Sequence, residues 1–211
     1  MRKIKNNHLV DLVYQRIKDM IFDGFLPPGE KINKIDLSRQ LGVSITPVNE
    51  VINRLTGEKF LEKRGRKGYF VKKFSMKDLT EFYTVRAGLE GVALRFCIEE
   101  LSDDQLNEFE NFFKDFHLPL DEKEKERYMK EDQRFHEKII DLSGNSMITD
   151  FNQNFNFIMK SYQKGLVRQP EETLKEHQEI IKAIIERKSH KAQELLIIHH
   201  LKSIQELKSE K

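Results

Sequence analysis

A single cysteine among 211 residues, Cys97, leaves no intrachain disulfide to form, which fits a reducing compartment. Its neighbours on an expected helix are apolar, so an inert buried thiol is anticipated there. Tryptophan is absent, and proline occurs only five times. No apolar run approaches the roughly 20 residues that cross a bilayer, and mean hydropathy is −0.64. The N-terminal MRKIKNNHLV has cations but none of the apolar core of a secretory signal. A soluble cytoplasmic protein is therefore expected. Nucleophile motifs, phosphate loops and cofactor fingerprints are missing too, which argues against an enzyme.

Charge is abundant but unevenly spread. Residues 1–74 carry 16 Lys and Arg against 8 Asp and Glu, a net of +8, whereas the remaining 137 carry 21 against 27, a net of −6. The basic part is a candidate for phosphate contact. It opens with an amphipathic helix over 9–23, ended by Gly24 and Pro27-Pro28-Gly29, and a second helix follows Asn33 to about Leu41. Gly42 suits a tight turn because it reaches positive φ without steric cost. Ser44 or Thr46 can cap a third helix, with Pro47 in its first turn. Val48, Val51, Ile52 and Leu55 form its inner face, leaving Ile45, Asn49 and Asn53 free to enter a major groove. The helix should end near Lys59. Phe60–Lys63 and Tyr69–Lys73 then read as two strands around a basic tip, Gly65 to Gly68, suited to phosphates or the minor groove.

Ser75 with Asp78 three residues on has the spacing of a capping box. It opens a long helix to about Glu99 and places a domain boundary near Phe74, with no Gly/Ser-rich linker. Leu79, Phe82, Arg86, Leu89, Ala93 and Phe96 are expected on its buried stripe, and Arg86 there requires a partner. Ser102 with Gln105 starts a helix through Phe116, with Phe109, Phe112, Phe113 and Phe116 as core. Asp121–Arg127 leads into a helix to Leu142, stopped by Gly144. Asn145 caps a helix to about Leu166, and two last helices, 171–187 and 190–208, meet at Lys188-Ser189. The fold class is mainly α, an N-terminal winged helix-turn-helix (1–74) followed by an all-α antiparallel bundle (75–211).

Asp132 and His136 stand one helical turn apart on one face and can share a metal ion. His177 and His199 each lie 11 residues from Lys188, so an antiparallel hairpin turning there sets them opposite one another, both about 16 Å from the turn. The four groups converge if the helix bearing Asp132 packs over that hairpin. Three imidazoles and a carboxylate suit Zn, Ni, Mn or Fe rather than Ca or Mg. His8, His117 and His190 have no partner at useful spacing and read as solvent histidines.

Taken together, GFLPPGEKI (Gly24–Ile32), LGVS-TPV (Leu41–Val48), RGRKGYFV (Arg64–Val71), YTVRAGLEGVALR (Tyr83–Arg95), Asp132-x-x-x-His136, Ser143–Asn145, Glu176-His177 and His199 resemble the GntR family of bacterial transcription regulators. The resemblance is to its FadR-like branch, whose all-helical FCD domain is of the six-helix VanR type. It implies a homodimer on a palindromic operator, most simply a repressor, with an effector-binding and dimerising C-terminal domain. It further implies one divalent transition metal per chain, held by Asp132, His136, His177 and His199 at the floor of a pocket for a small organic acid. His200 is the alternative to His199, and motif register and hairpin symmetry favour His199. Arg86, in the branch's R-x-x-L-E pattern, is either the cation that holds the acid or half of a structural ion pair with Glu90 or Asp132. The residues implied to meet DNA are Ser44, Ile45, Thr46, Asn49, Arg54, Arg64, Arg66, Lys67 and Gly68. The family's usual SRTPVRE is SITPVNE here, so Ile45 and Asn49 replace two arginines. Adenine pairing by Asn49 and thymine contact by Ile45 predict an A·T-richer half-site, with strong salt dependence from the wing cations. Alternatives are a regulator whose metal is structural or is itself the signal, and a metal-dependent enzyme.

Overall fold

The computed structural model describes residues 7–152 and 167–209. The chain folds into two compact units, with the break between Phe74 and Ser75.

In the first unit, α1 (Asn7–Phe22) buries Val13, Tyr14, Ile17 and Ile21. The side chain of Asn33 accepts from the backbone N–H groups of Ile35 and Asp36 at 3.1 and 3.3 Å and so caps α2 (Lys34–Leu41). Gly42, at φ 65°, ends it. Helix α3 (Ile45–Gly57) buries Val48, Val51, Ile52 and Leu55 completely. Ser44 stands at its cap position, but its side chain makes no capping hydrogen bond. After α3 the chain turns through Lys59 at φ 65°. A left-handed non-glycine residue costs about 1–2 kcal/mol, which the burial of Phe60 and Leu61 just beyond it offsets. Strands β1 (Leu61–Lys63) and β2 (Tyr69–Val71) pair antiparallel with Glu62 opposite Phe70. They are shorter than the sequence suggested. A single 3-10 turn, Gly65–Lys67, forms the tip of the wing.

The second unit begins with α4 (Met76–Cys97), whose first turn carries the reciprocal Ser75–Asp78 box. Its buried residues are Leu79, Tyr83, Arg86, Ala87, Glu90, Gly91, Ala93, Leu94 and Cys97, so Leu79, Arg86 and Ala93 of the expected stripe are buried. At Phe82, Leu89 and Phe96 the expected stripe is one residue off, Tyr83, Glu90 and Cys97 being buried instead, and Phe96 is 74% exposed. The cause is α9 (Ser189–Ser209), which runs antiparallel to α4. Arg95 meets His190, Gly91 meets Ile197, and Tyr83 meets His200.

Helix α5 (Asp103–Asn111) is capped by Ser102 and Gln105. It ends well before Phe116 because Phe112 is extended and Phe113 takes φ 58°. That break lets Phe112, Phe113 and Phe116 follow Phe109 of α5 into the core from a turn rather than from one helix face. Helix α6 (Glu122–Leu142) starts on an Asp121–Glu124 box and is stopped by Gly144 at φ 60°. Asn145 Oδ1 accepts from Met147 N at 3.0 Å. It thereby caps helical residues 146–152 (α7); the rest of the helix expected to Leu166 lies outside the described residues. Pro170 opens α8 (Pro170–Ile185), and a turn through Arg187 at φ 53° joins it to α9. The core lies among α4, α5, α6, α8 and α9, with the phenylalanines and Tyr128 at its centre. No helix among the described residues is long and apolar enough to cross a membrane.

Candidate metal centre and nucleic-acid surface

Helix α6 carries Asp132 and His136, α8 carries His177, and α9 carries His199. One ligand atom from each of the four lies within 4.8 Å of those from the other three. The rings of His177 and His199 are 4.6 Å apart, and those of His136 and His199 are 5.5 Å apart. His136, His177 and His199 are buried, and Asp132 is partly so.

Hydrogen bonds fix which nitrogen of each ring is available. Thr173 Oγ1 donates to the carbonyl of Gln169 at 3.2 Å, so the hydroxyl of Tyr128, 2.8 Å away, donates to Thr173. Tyr128 Oη then accepts the proton of His177 Nδ1 at 2.9 Å. His136 Nδ1 donates to Glu90 Oε2 at 2.6 Å, and His199 Nδ1 donates to Glu176 Oε2 at 2.8 Å. All three Nε2 atoms are left as lone-pair donors, the arrangement that partner groups behind metal-binding histidines impose.

The electrostatics agree. Burial holds His136 down to about 3, against the pull of Glu90, and His200 down to about 4. It puts His177 well below the usual histidine range, helped by the neighbouring histidines. Burial thus favours the neutral form of His136 and His177, which ligands must have. Burial alone would raise Glu90, but Arg86, His136 and His200 together bring its carboxyl well below the usual range. Glu176 is depressed likewise, because hydrogen bonds from His199, Arg168 and Lys202 overcome its burial. Asp132 is pushed up by burial, only partly countered by His199 and Arg86.

His177 Nε2 is buried without a hydrogen-bond partner, and it faces Asp132 Oδ1 at 3.3 Å. With His177 neutral, an acceptor faces an acceptor, a contact that a cation between them would relieve. Ligands held tetrahedrally at 2.0–2.1 Å stand about 3.3 Å apart. The residues present therefore fit a divalent transition metal.

Arg86 pairs with Glu90, one turn on, in a buried ion pair, and Glu90 Oε2 also accepts from His200 Nε2 at 2.8 Å. His200 thus belongs to the layer behind the four-residue cluster. Glu90, His136 and His200 also converge, but the Arg86 guanidinium on the same carboxylate disfavours a second cation. Sequence reasoning gave Glu90 no role beyond pairing with Arg86, and gave none to Tyr128 or Glu176. Glu90 and Glu176 each adjoin a singled-out residue, four on from Arg86 and next to His177. Nothing in the sequence pointed to Tyr128.

In the first unit, Ser44, Ile45 and Thr46 are exposed at the start of α3, and Arg66, Lys67 and Lys73 are exposed on or beside the wing. Gly68 turns the chain at φ 105° into β2. Four of the residues considered above meet partners within the chain. Lys34 Nζ donates to Asn49 Oδ1 at 2.8 Å, so the carbonyl that adenine pairing needs is already engaged. Arg54 is committed within the unit, to Glu58 at 3.0 Å, to Asp11 at 3.3 Å and over the Tyr14 ring at 3.9 Å. Arg64 likewise pairs with Glu62 and covers Phe70. His190 is exposed, as its sequence reading had it, and lies 3.1 Å from Arg95.

Residues 9–71 match the sequence model of the bacterial regulatory proteins of the gntR family, and residues 81–202 match that of the FCD domain. The chain is 28% identical to the HTH-type transcriptional regulator YdhC of Bacillus subtilis, over 92% of this chain and 91% of that one. It is 36% identical to the Nta operon transcriptional regulator of Aminobacter aminovorans, over 56% of each. Among solved structures, a GntR transcriptional regulator from Rhodococcus sp. RHA1 superposes with a TM-score of 0.69 at 18% identity, over 96% of this chain and 98% of that one.

Proposed function

This chain belongs to the gntR family of bacterial regulatory proteins and carries an FCD domain, and from that membership we propose that it is a metal-assisted, acid-responsive repressor acting as a homodimer on a palindromic operator. It is a transcription regulator, not an enzyme. The observation that carries the finer reading is the convergence of Asp132, His136, His177 and His199, with the Nδ1 of every ring already engaged from behind.

The metal would be held by those four side chains, and it would supply a Lewis-acidic position for a carboxylate. The chain's own residues do the rest. Glu90, Tyr128 and Glu176 hold the three imidazoles in one tautomer, and Arg86 supplies a buried cation beside the cluster. A small acid could take up that cation only by competing with Glu90. Switching then follows only as far as the acid binds the DNA-competent and DNA-released states differently. In the first unit, Ser44, Ile45, Thr46 and the wing residues Arg66, Lys67 and Gly68 would meet the operator, with two-fold symmetry matching two half-sites.

Elemental analysis of purified wild type and His177→Ala, both checked by circular dichroism, tests the centre. About one metal per chain, lost in a folded variant, is expected. Operator binding is then titrated with metal and with small carboxylic acids. Release on adding acid supports the proposal, whereas a response to metal alone would make the protein a metal sensor. Metal content unchanged by the substitution would overturn the assignment.

A further inference from the structure

Two of the three imidazoles of the cluster stand on carboxylates, His136 on Glu90 and His199 on Glu176, and an arginine meets each carboxylate. The two arrangements differ. Arg168 grips both oxygens of Glu176, Nη1 to Oε2 at 2.7 Å and Nη2 to Oε1 at 2.9 Å, and Lys202 Nζ adds a contact to Oε1 at 2.7 Å. Such a two-point clamp fixes geometry as well as charge. On Glu90 the oxygens have separate partners. Oε2 accepts from His136 Nδ1 at 2.6 Å and from His200 Nε2 at 2.8 Å, which ties it to α6 and α9. Oε1 accepts from Arg86 Nε.

Charge makes the second difference. Glu90 is wholly buried, and of the three groups that meet it only Arg86 carries a permanent charge. A buried carboxylate deprived of its cation is strongly destabilising. An acid that drew Arg86 to itself would leave Glu90 in that state. With a divalent ion on its Nε2, however, His136 passes part of the ion's charge through its ring to the Nδ1–H that Glu90 accepts. Glu90 can then give up Arg86 at less cost.

We propose that Glu90 is a counter-ion shared between Arg86 and His136, through which the metal and the acid favour each other's binding. The proposal rests on the reading that the cluster holds a divalent metal and that Arg86 takes the acid. With the metal in place, Glu90 is drawn towards His136 and loosens its hold on Arg86. With an acid on Arg86, Glu90 is left to His136 and strengthens it as a ligand. By linkage the two effects are equal in size. Because His136 and His200 hold Oε2 from two other helices, Glu90 stays in place while Arg86 changes partner. Glu90 is thus a positioning residue for both sites and touches neither ligand.

Calorimetric titration of the full chain with acetate, succinate and citrate, with and without Zn²⁺, tests this, and circular dichroism confirms that the variant folds. The wild type should bind an acid at least about tenfold more tightly with Zn²⁺ present. Glu90→Gln should raise acid affinity in the Zn²⁺-free protein by about tenfold, because Arg86 is no longer held, and should shrink the dependence on Zn²⁺. A group that merely supports the fold would lower that affinity instead. A second reading needs no variant. In the Zn²⁺-loaded wild type, the ring N–H resonance of His136 Nδ1 should move downfield on adding acid, while that of His199 Nδ1, on the clamped Glu176, stays nearly fixed. Equal movement of both signals, or a Glu90→Gln protein with wild-type acid affinity and Zn²⁺ dependence, would overturn the sharing and leave the metal and acid readings standing. A wild type that binds none of the acids in either state would remove the acid reading and the sharing with it.

Discussion

The hydroxyl of Tyr128 lies 2.9 Å from Nδ1 of His177 and 2.8 Å from Oγ1 of Thr173, and the direction of that hydrogen-bonded chain is set by its last member, the carbonyl of Gln169. His177 therefore carries its proton on Nδ1 and offers Nε2 to the cluster. Tyr128→Phe removes the acceptor and frees the ring to change tautomer. Loss of such a partner typically weakens metal binding by about 10–100-fold, while one lost buried hydrogen bond costs about 1 kcal/mol of stability. Competition with a chelator should show the weakened affinity with circular dichroism unchanged. Equal affinity in the two proteins would mean that Tyr128 has no part in positioning His177.

Lys34 and Asn49 give the recognition helix a different character from the one its sequence suggested. Asn49 Oδ1 accepts from Lys34, and Asn53 Oδ1 accepts from the Tyr69 hydroxyl at 3.2 Å. Each amide oxygen is thus already engaged within the unit, which favours its N–H donors as the groups that read a base. Donors read guanine N7 and O6 or thymine O4, not the adenine edge, which needs a donor and an acceptor together. Selection from random DNA should enrich G or T at the position under Asn49, with T favoured at Ile45. Lys34→Met should shift the Asn49 position towards A. Enrichment of A there by the wild type would show that the Lys34 contact gives way on binding.

Some of this architecture is readable from the sequence for simple reasons. The capping boxes at Ser75, Ser102 and Asp121 depend on residues three apart. The Asp132–His136 spacing, and the equal distances of His177 and His199 from Lys188, are likewise local or symmetric. What is not readable depends on distant packing. The phase of α4 is set by α9, so Glu90 is hidden by an alternative stripe through Leu89 that is equally apolar in sequence. Phe113 reverses the chain within four phenylalanines whose spacing reads as helix. Arg54 looks like any cation of the recognition helix until α1 brings Asp11 and Tyr14 to it.

Gly91 is held to its size by Ile197. A Cβ at position 91 would lie 2.7 Å from Ile197 Cγ1 and 3.0 Å from its Cδ1, closer than packed carbons tolerate. Gly91→Ala should therefore destabilise the second unit by about 1–3 kcal/mol through overpacking, despite alanine's better helix propensity. Adding Ile197→Ala should recover part of that loss. Urea midpoints of the single and double variants check this, and a more stable Gly91→Ala protein would show that α9 yields.

The buried histidines predict acid sensitivity of the metal-free protein. His136 and His200 are held down to about 3 and about 4, and His177 well below its usual range, chiefly by burial. In the unfolded chain each titrates near 6.5. Where the folded pKa is the lower one, the unfolded state takes up protons first. The stabilisation is thus complete above about pH 6.5 and is lost as pH falls towards 4 and then 3. For His200 alone the shift corresponds to on the order of 3 kcal/mol. Glu90 and Glu176, also depressed, add losses lower in the range. Asp132 opposes them, because its raised pKa lets the folded state bind a proton first. Urea unfolding in the presence of a chelator should give midpoints that drop steadily from pH 7.5 to 5. A flat profile over that range would mean that His136, His177 and His200 take up protons as readily folded as unfolded, and neutral imidazole donors at His136 and His177 would then be wrong.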